Sequence, residues 1–290
     1  MNSGRTKEKK KEDDENSSAE SVTQSPREDK KAEERVTINA RIVHEAVRRE
    51  GEDELNRAAA ELAWSGLAAG LSMGFSLVAE GLLAAYLPPA VWSPLITNLG
   101  YSVGFLIVVL GRQQLFTENT LTVVLPLLLK PNARVLAKVA RLWSLVLASN
   151  LVGAYLFASC IGRIPIFDER VQQSLASVSR EALGGAWWIV MLRAVFAGWL
   201  IALMVWLLPA AESSRMAIVV VITYLVGLAG FGHIIAGSSK MFFLMAIHAI
   251  GWKNYALRFF APVLIGNILG GVSMVACLGH AQVASGKATS

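Results

Sequence analysis

Acidic residues are scarce after position 61, and this scarcity sets the first constraint on the chain. Of the 22 Asp and Glu residues, 16 lie in residues 1–61, which leaves six acids against 14 bases over the other 229 residues. A soluble domain of that size would be about one quarter charged. The pattern therefore excludes an ordinary soluble globular domain and indicates a membrane domain that follows a polar N-terminal segment.

Cysteine is also scarce. Cys160 and Cys277 both lie in apolar runs, so we expect small core residues, no disulfide, no metal site and no cofactor. The first 35 residues are charged and have no apolar centre, so no cleavable signal peptide is expected. The net charge of +5 is weak evidence for a nucleic-acid partner, because the basic excess surrounds apolar runs.

The polar ends of the chain are predicted to be cytoplasmic. Residues 1–35 have the composition of a disordered charged tail, and residues 281–290 form a short polar tail. Residues 36–61 predict an amphipathic helix, because apolar residues recur at helical spacing between arginines. This helix either lies on the membrane surface or packs under the membrane domain, and we expect Gly51 to interrupt it.

Residues 62–280 predict an all-α polytopic membrane domain. Six apolar segments are long enough to cross a bilayer, at about 62–87, 98–129, 142–161, 186–208, 216–250 and 259–278. The loop after the second segment carries four bases and no acid, which places it in the cytoplasm. With six spans, both termini lie on that same side.

Small residues and one acid distinguish the first span. Gly66, Gly70 and Gly74 share one helix face, which favours close helix packing. Ser72 lies in a Gly-x-Ser-x-Gly pattern, but that pattern signals a nucleophile only in a strand–turn–helix context, so we do not expect an enzyme. Glu80 faces either the interior or the rim, and the sequence leaves this open.

The second and fifth spans are predicted to be broken. Residues 230–239 hold three glycines, two serines and His233 between two apolar runs that are each too short to cross a bilayer. Polar residues at 111–120 interrupt the second span in the same way. Irregular backbone at membrane depth requires a protein or aqueous surrounding, and an ionisable residue there is a functional candidate.

The two breaks occupy matching positions in two halves of three spans each. Such halves insert in opposite orientations, so the sequence predicts a 3+3 inverted repeat with a transport site where the breaks meet. This arrangement would bring Thr117 towards His233.

Three motifs resemble the formate/nitrite transporter family over roughly residues 40–280. They are Leu115-Phe116-Thr117, Gly232-His233 and the run Ile-Gly-Asn-Ile-Leu-Gly-Gly at 265–271. The sequence of residues 112–120, together with the charged tail, is most similar to a bacterial inner membrane subgroup of this family. The resemblance implies an aquaporin-like protomer, a homopentamer in the cell inner membrane, and one pore per protomer for small monovalent anions or weak acids, often moved with a proton.

The resemblance also assigns the substrate pathway. It implies a central His233 preceded by Gly232, a facing Thr117, a cytoplasmic-side constriction of Phe105 and Leu115 with Phe116 beside it, an outer aromatic Tyr101, and Asn267 holding the pore.

Elementary chemistry agrees with a central histidine. An anion that crosses apolar rings must lose water at considerable cost, and a carboxylate avoids most of this cost when it is neutral. Histidine titrates near physiological pH, and a nearby anion raises its proton affinity. A proton could then pass from His233 to the anion.

Several features depart from the formate and nitrite channels. Gly232 stands where those channels carry a polar or acidic residue, and Gly198 stands where they carry asparagine. Arg112 and Lys240 are added cations, which either raise the local anion concentration or bond to loop carbonyls at helix ends.

Three alternatives are kept open. The first is a neutral small-solute pore of aquaporin type, against which the lack of Asn-Pro-Ala argues. The second is an intramembrane hydrolase that pairs Ser72 or Ser238 with His233. The third is a non-transporting structural or sensory family member.

Overall fold

The structure is a computed structural model that describes residues 42–129 and 131–274. The predictions for the N-terminal tail, the start of the amphipathic helix, Cys277 and the C-terminal tail fall outside the described residues. Within them the chain is helical and holds no β-strand. The elements are α1 (42–56), α2 (Ala59–Tyr86), α3 (Ser93–Leu110), α4 (Asn119–Leu129), α5 (Ala133–Arg163), α6 (Glu169–Glu181), α7 (Trp187–Ala210), α8 (Arg215–Leu228), α9 (Ile234–Ala246) and α10 (Trp252–Met274).

Five of the described helices, α2, α3, α5, α7 and α10, are long and apolar enough to cross a membrane. The apolar helices α4, α8 and α9 are shorter. Each segment that the sequence predicted as a broken span contains two helices, with non-helical residues 111–118 between α3 and α4 and 229–233 between α8 and α9. Gly230 has a φ of +62°, a backbone conformation that suits glycine, just beyond the end of α8.

Glycines set the close packing of two long helix pairs. A methyl group on Gly70 of α2 would lie 2.1 Å from the carbonyl oxygen of Asn150 in α5, and Gly66 and Gly74 also face α5. This confirms the predicted glycine face. In the second pair, a methyl group on Gly198 of α7 would lie 2.3 Å from the carbonyl oxygen of Asn267 in α10. Both pairs therefore approach backbone to backbone.

Helix α1 packs against the membrane domain, and the prediction that Gly51 interrupts it is wrong. The helix runs through Gly51, where a methyl group would lie 2.0 Å from the carbonyl oxygen of Thr122 in α4. Glycine here permits close approach of two helices. Val43 and Val47 are buried in one cluster with apolar residues of α4 and α7. Of the two placements left open by the sequence, the structure has the packed one.

Salt bridges lie on the exposed face of α1. Arg48 and Arg49 each lie 2.7 Å from Glu45, one turn away. Hydrogen bonds from Arg48 and then Arg49 lower the pKa of Glu45 to about 2. These contacts join residues three and four positions apart, as expected for neighbours on a helix surface.

Two predicted external loops are largely helical. The loop at 162–185 contains α6, whose first turn is capped by Asp168 accepting from the Val171 amide at 2.9 Å. Val171 and Leu175 are buried, and Leu175 packs against Gly81 of α2. The loop at 251–258 is mostly the first part of α10, through a π-helical stretch at Tyr255–Phe260. Cys160, predicted as a core residue, is exposed on α5.

Candidate functional site

The non-helical segment at 111–118 is held by one buried asparagine of α5. The Asn150 side chain accepts a hydrogen bond from the Phe116 amide at 2.9 Å. Its NH₂ group donates to the carbonyls of Gln114 at 2.8 Å and Gly66 at 2.7 Å. Asn150 thus ties this segment to both α2 and α5, a role that was not predicted from the sequence.

Asn267 of α10 holds the segment at 229–233 with the same set of bonds. It accepts from the Ile234 amide at 2.8 Å and donates to the carbonyls of Gly232 and Ala194, both at 2.8 Å. We call Asn150 and Asn267, with these six bonds, the asparagine clamps. Each clamp satisfies one amide and one carbonyl that have no partner within a helix, those of Phe116 and Gln114 in the first and of Ile234 and Gly232 in the second. Irregular backbone at this depth requires such partners.

The clamps bring Thr117 and His233 into contact. The Thr117 hydroxyl oxygen lies 2.7 Å from His233 Nε2, and both residues are buried. His233 Nδ1 accepts from the Ala236 amide at 3.2 Å and so caps the start of α9. Because Nδ1 is an acceptor, these bonds assign the proton of a neutral imidazole to Nε2, from which it is donated to Thr117. The threonine hydroxyl hydrogen is then left for another acceptor.

Aromatic rings pack beside this pair. The Phe105 ring meets the His233 ring edge-on with centroids 4.9 Å apart, and the Tyr101 ring lies 5.4 Å from Phe105. Leu115 is fully buried in the same core. Phe116 instead packs edge-on against Trp143 of α5, with centroids 6.0 Å apart. Apolar side chains therefore surround the polar His233–Thr117 pair.

A cavity reaches His233 from the side where α3 begins, and we call it the outer cavity after the orientation predicted from the sequence. Its lining includes Tyr101, His233, Lys240, Glu80 and Arg193. Lys240 Nζ lies 3.0 and 2.9 Å from the two oxygens of Glu80, and 5.4 Å from the centre of the Tyr101 ring. Glu80 is therefore interior. The Lys240 ammonium thus pairs with a carboxylate, whereas one of the two interpretations drawn from the sequence had it bonded to loop carbonyls at a helix end.

An inner cavity lies at the other end of α3. Its charged lining comes from α1 and its end, from α8 and from the 111–118 segment, namely Glu50, Glu54, Arg57, Arg112, Glu118 and Arg215. From Tyr101 to Val109, which line the outer and inner cavities, α3 rises about 12 Å. Phe105 and His233 occupy the stretch between the two. Arg112, predicted as an added cation, lies exposed at this inner mouth with a φ of +49°.

Serine does not pair with the histidine here. Ser238 donates to the Ile234 carbonyl and shares a 3.1 Å hydrogen bond with the Tyr255 hydroxyl. Both His233 nitrogens are engaged, by Thr117 and by the Ala236 amide. The contact needed by the hydrolase alternative is therefore absent from the described residues.

Comparison with known proteins identifies the family. The sequence model of the formate/nitrite transporter family matches residues 41–281. The chain belongs to the formate/nitrite transporter family. It is 39% identical over 251 residues to the inner membrane protein YfdC of Escherichia coli, covering 87% of this chain and 81% of that protein. The resemblances drawn from the sequence, to the family and to this inner membrane subgroup, are confirmed.

More distant relatives are formate channels and transporters. The chain is 28% identical over 204 residues to the formate channel BtFdhC of Bacillus thuringiensis, covering 64% of this chain and 73% of that one. A solved pentameric formate channel with formate bound superposes with a TM-score of 0.65 at 22% identity, covering 76% of this chain and 95% of that chain. A family ion channel gives a TM-score of 0.69 at 17% identity, covering 86% and 99%. The fold is that of these channels, and the chain is a multi-pass membrane transport protein.

Proposed function

We propose that the chain is a channel or proton-coupled transporter for small monovalent anions and weak acids across the bacterial inner membrane. The observation that carries the proposal is the Thr117–His233 hydrogen bond of 2.7 Å, enclosed by apolar residues between two polar cavities. The formate channels among its relatives support this substrate class. It has no enzymatic activity and no nucleic-acid partner in this proposal.

The protomer is a six-span, aquaporin-like inverted repeat of 3+3 helices. Support comes from the two asparagine clamps, which use the same three bonds at matching places in the two halves. The broken spans are α3 with α4 and α8 with α9. Five protomers assemble in the bilayer with one pore each, as in the solved pentameric formate channel. Both termini lie on the cytoplasmic side in this proposal.

His233 exchanges a proton with the substrate in this mechanism. Its neutral imidazole donates through Nε2 to Thr117, whose free hydroxyl hydrogen is available to an anion. A second proton can enter only at Nδ1, which now accepts from the Ala236 amide. Protonation therefore breaks the hydrogen bond that caps α9, at a cost of about 1 kcal/mol, and the charge of an approaching anion offsets this cost. Phe105, Leu115 and Tyr101 favour the neutral acid over the hydrated anion.

Two substitutions separate the chemistry of His233 from its structural role. His233→Asn keeps a side-chain acceptor for the cap but cannot be protonated, whereas His233→Ala loses both. In proteoliposomes, wild type should take up formate, nitrite or acetate faster when a proton gradient points inward. His233→Asn should fold normally and lose this proton dependence.

The matched control is His248→Asn, because His248 is exposed and has a φ of +60°, which asparagine tolerates. The control should transport like wild type. Proton-driven uptake that survives in His233→Asn would eliminate the central-histidine mechanism. Flux of a neutral solute alone would instead favour the aquaporin-like alternative, and no flux of any solute would favour a structural or sensory role.

A further inference from the structure

The inner cavity carries a carboxyl group that the proposed pore chemistry has not used. Glu118 follows Thr117 directly, so it connects the central pair to this cavity along the backbone. Its Oε1 is buried and has no hydrogen-bond partner among the described residues. Such an orphaned acceptor is costly and calls for an explanation, of which a catalytic or transport role is one.

The inner cavity is lined by five charged side chains besides Glu118. Helix α1 and its end supply Glu50, Glu54 and Arg57, the segment of Glu118 itself supplies Arg112, and α8 supplies Arg215, while α7 contributes only apolar residues. Arg57 is occupied, since it lies 3.1 Å from Glu54 and 3.5 Å from Glu61. The other two arginines, Arg112 and Arg215, form no ion pair with a described carboxylate. Arg215 Nε is also buried and has no hydrogen-bond partner among the described residues.

The cavity therefore presents groups for both products of an acid dissociation. Arg112 and Arg215 are cations that attract a small carboxylate, and Arg groups bind such anions through several N–H donors. Glu118 offers a free oxygen for a proton. Glu50 lies at the rim of the same cavity, and its pKa is raised. Partial burial raises this pKa most, the charge of Glu54 raises it further, and the charges of Arg112 and Arg215 oppose the rise. The rim of the cavity therefore favours the protonated form of a carboxyl group.

We infer that Glu118 is the inner proton acceptor of the pore, which takes the proton from a weak acid as the acid leaves the His233 region. The O–H bond of the acid breaks, a new O–H bond forms on Glu118, and the acid becomes an anion beside Arg112 and Arg215. The proton on Glu118 then passes to water. In the opposite direction, protonated Glu118 returns a proton to an anion entering from the cytoplasm. This inference rests on the proposed transport of weak acids.

The experiment measures proton and anion movement together in proteoliposomes of the full chain. A trapped pH dye reports protons, and radiolabelled formate reports the anion, over a series of internal pH values at a constant pH difference across the membrane. In wild type, formate uptake should fall as internal acid occupies Glu118. Glu118→Gln should lower the rate at neutral internal pH by roughly tenfold or more, as loss of a general base does, and remove this dependence on internal pH. Glu118→Asp should restore the dependence with a shifted midpoint.

The control is Glu169→Gln, an exposed acid on α6 that lines neither cavity, and it should behave like wild type. An unchanged rate and pH profile in Glu118→Gln would overturn the inference. If that variant does not fold, a wild-type profile in Glu118→Asp would overturn it as well. Absence of any weak-acid transport in wild type would instead remove the proposed function, so the two failures are distinguishable.

Discussion

Removal of Lys240 should destabilise the protein strongly, because it leaves a buried carboxylate. The side chains of Lys240 and Glu80 are 12% and 3% exposed, and their closest contact is 2.9 Å. At that distance an effective dielectric constant of about 20 gives an attraction of roughly 6 kcal/mol. Loss of one partner from such a pair typically costs about 3–5 kcal/mol. Lys240→Met should therefore lower the thermal midpoint by on the order of 10 °C.

A double-mutant cycle tests whether the cost comes from the orphaned charge. Glu80→Gln added to Lys240→Met removes that charge and should recover most of the stability, since a neutral replacement of a buried pair is often tolerated. Thermal unfolding in detergent, followed by tryptophan fluorescence, measures all variants. Lys253→Met, at an exposed position in the first turn of α10, serves as the matched control. A double variant no more stable than Lys240→Met would refute the reasoning.

The same pair sets the charge of the outer cavity. Lys240 follows His233 by seven residues, which places it on the same face of α9 about 10.5 Å further along the axis. At that distance an uncompensated ammonium attracts an anion at His233 by roughly 1.6 kcal/mol. Glu80→Gln alone should therefore lower the KM for anion uptake by about tenfold, while raised salt weakens the effect.

Two further predictions concern the 111–118 segment and α1. Asn150→Ala leaves the Phe116 amide and the Gln114 carbonyl without partners, at about 1–3 kcal/mol for each buried group. It should therefore sharply reduce the yield of folded protein on size exclusion, whereas exposed Asn56→Ala should not. The lowered pKa of Glu45, about 2 against 4.5, stabilises α1 above pH 4.5, and this contribution should disappear as pH falls towards 2. Hydrogen exchange of α1 measures it, and Glu45→Gln should lose this pH dependence; a dependence that persists would contradict the assignment.

The residues at the centre of the site could be predicted because residues of these types are unusual inside an apolar run. Glycines and a histidine inside an apolar run have few structural explanations, and the matching break at 111–120 supplied Thr117 as a partner. The contact between Thr117 and His233 was expected from the matching positions of the two breaks along the chain. Phe116 was placed on the pathway by resemblance, yet it packs on Trp143.

Contacts between distant elements could not be predicted with the same rules. Gly51 breaks a helix by intrinsic propensity, but close packing on α4 outweighs that propensity. The pairing of Glu80 with Lys240 joins residues 160 positions apart, which periodicity cannot detect. Asn150 did leave a signal, because a lone amide in the apolar run 142–161 must find partners. Helix α6 left one too, since Val171, Leu175 and Val178 repeat at helical spacing.

The asparagine clamps impose an order on biosynthesis. Each clamp closes only when its asparagine has been translated, 34 residues after Phe116 in the first half and 33 residues after Ile234 in the second. At about 5–20 residues per second, roughly 2–7 s pass between translation of each of these backbone amides and translation of its asparagine. The first clamp can therefore close before the second half has been translated, whereas the second clamp waits for Asn267. The bond between Thr117 and His233 can form only after the first clamp is able to close, because His233 follows Asn150 in the chain.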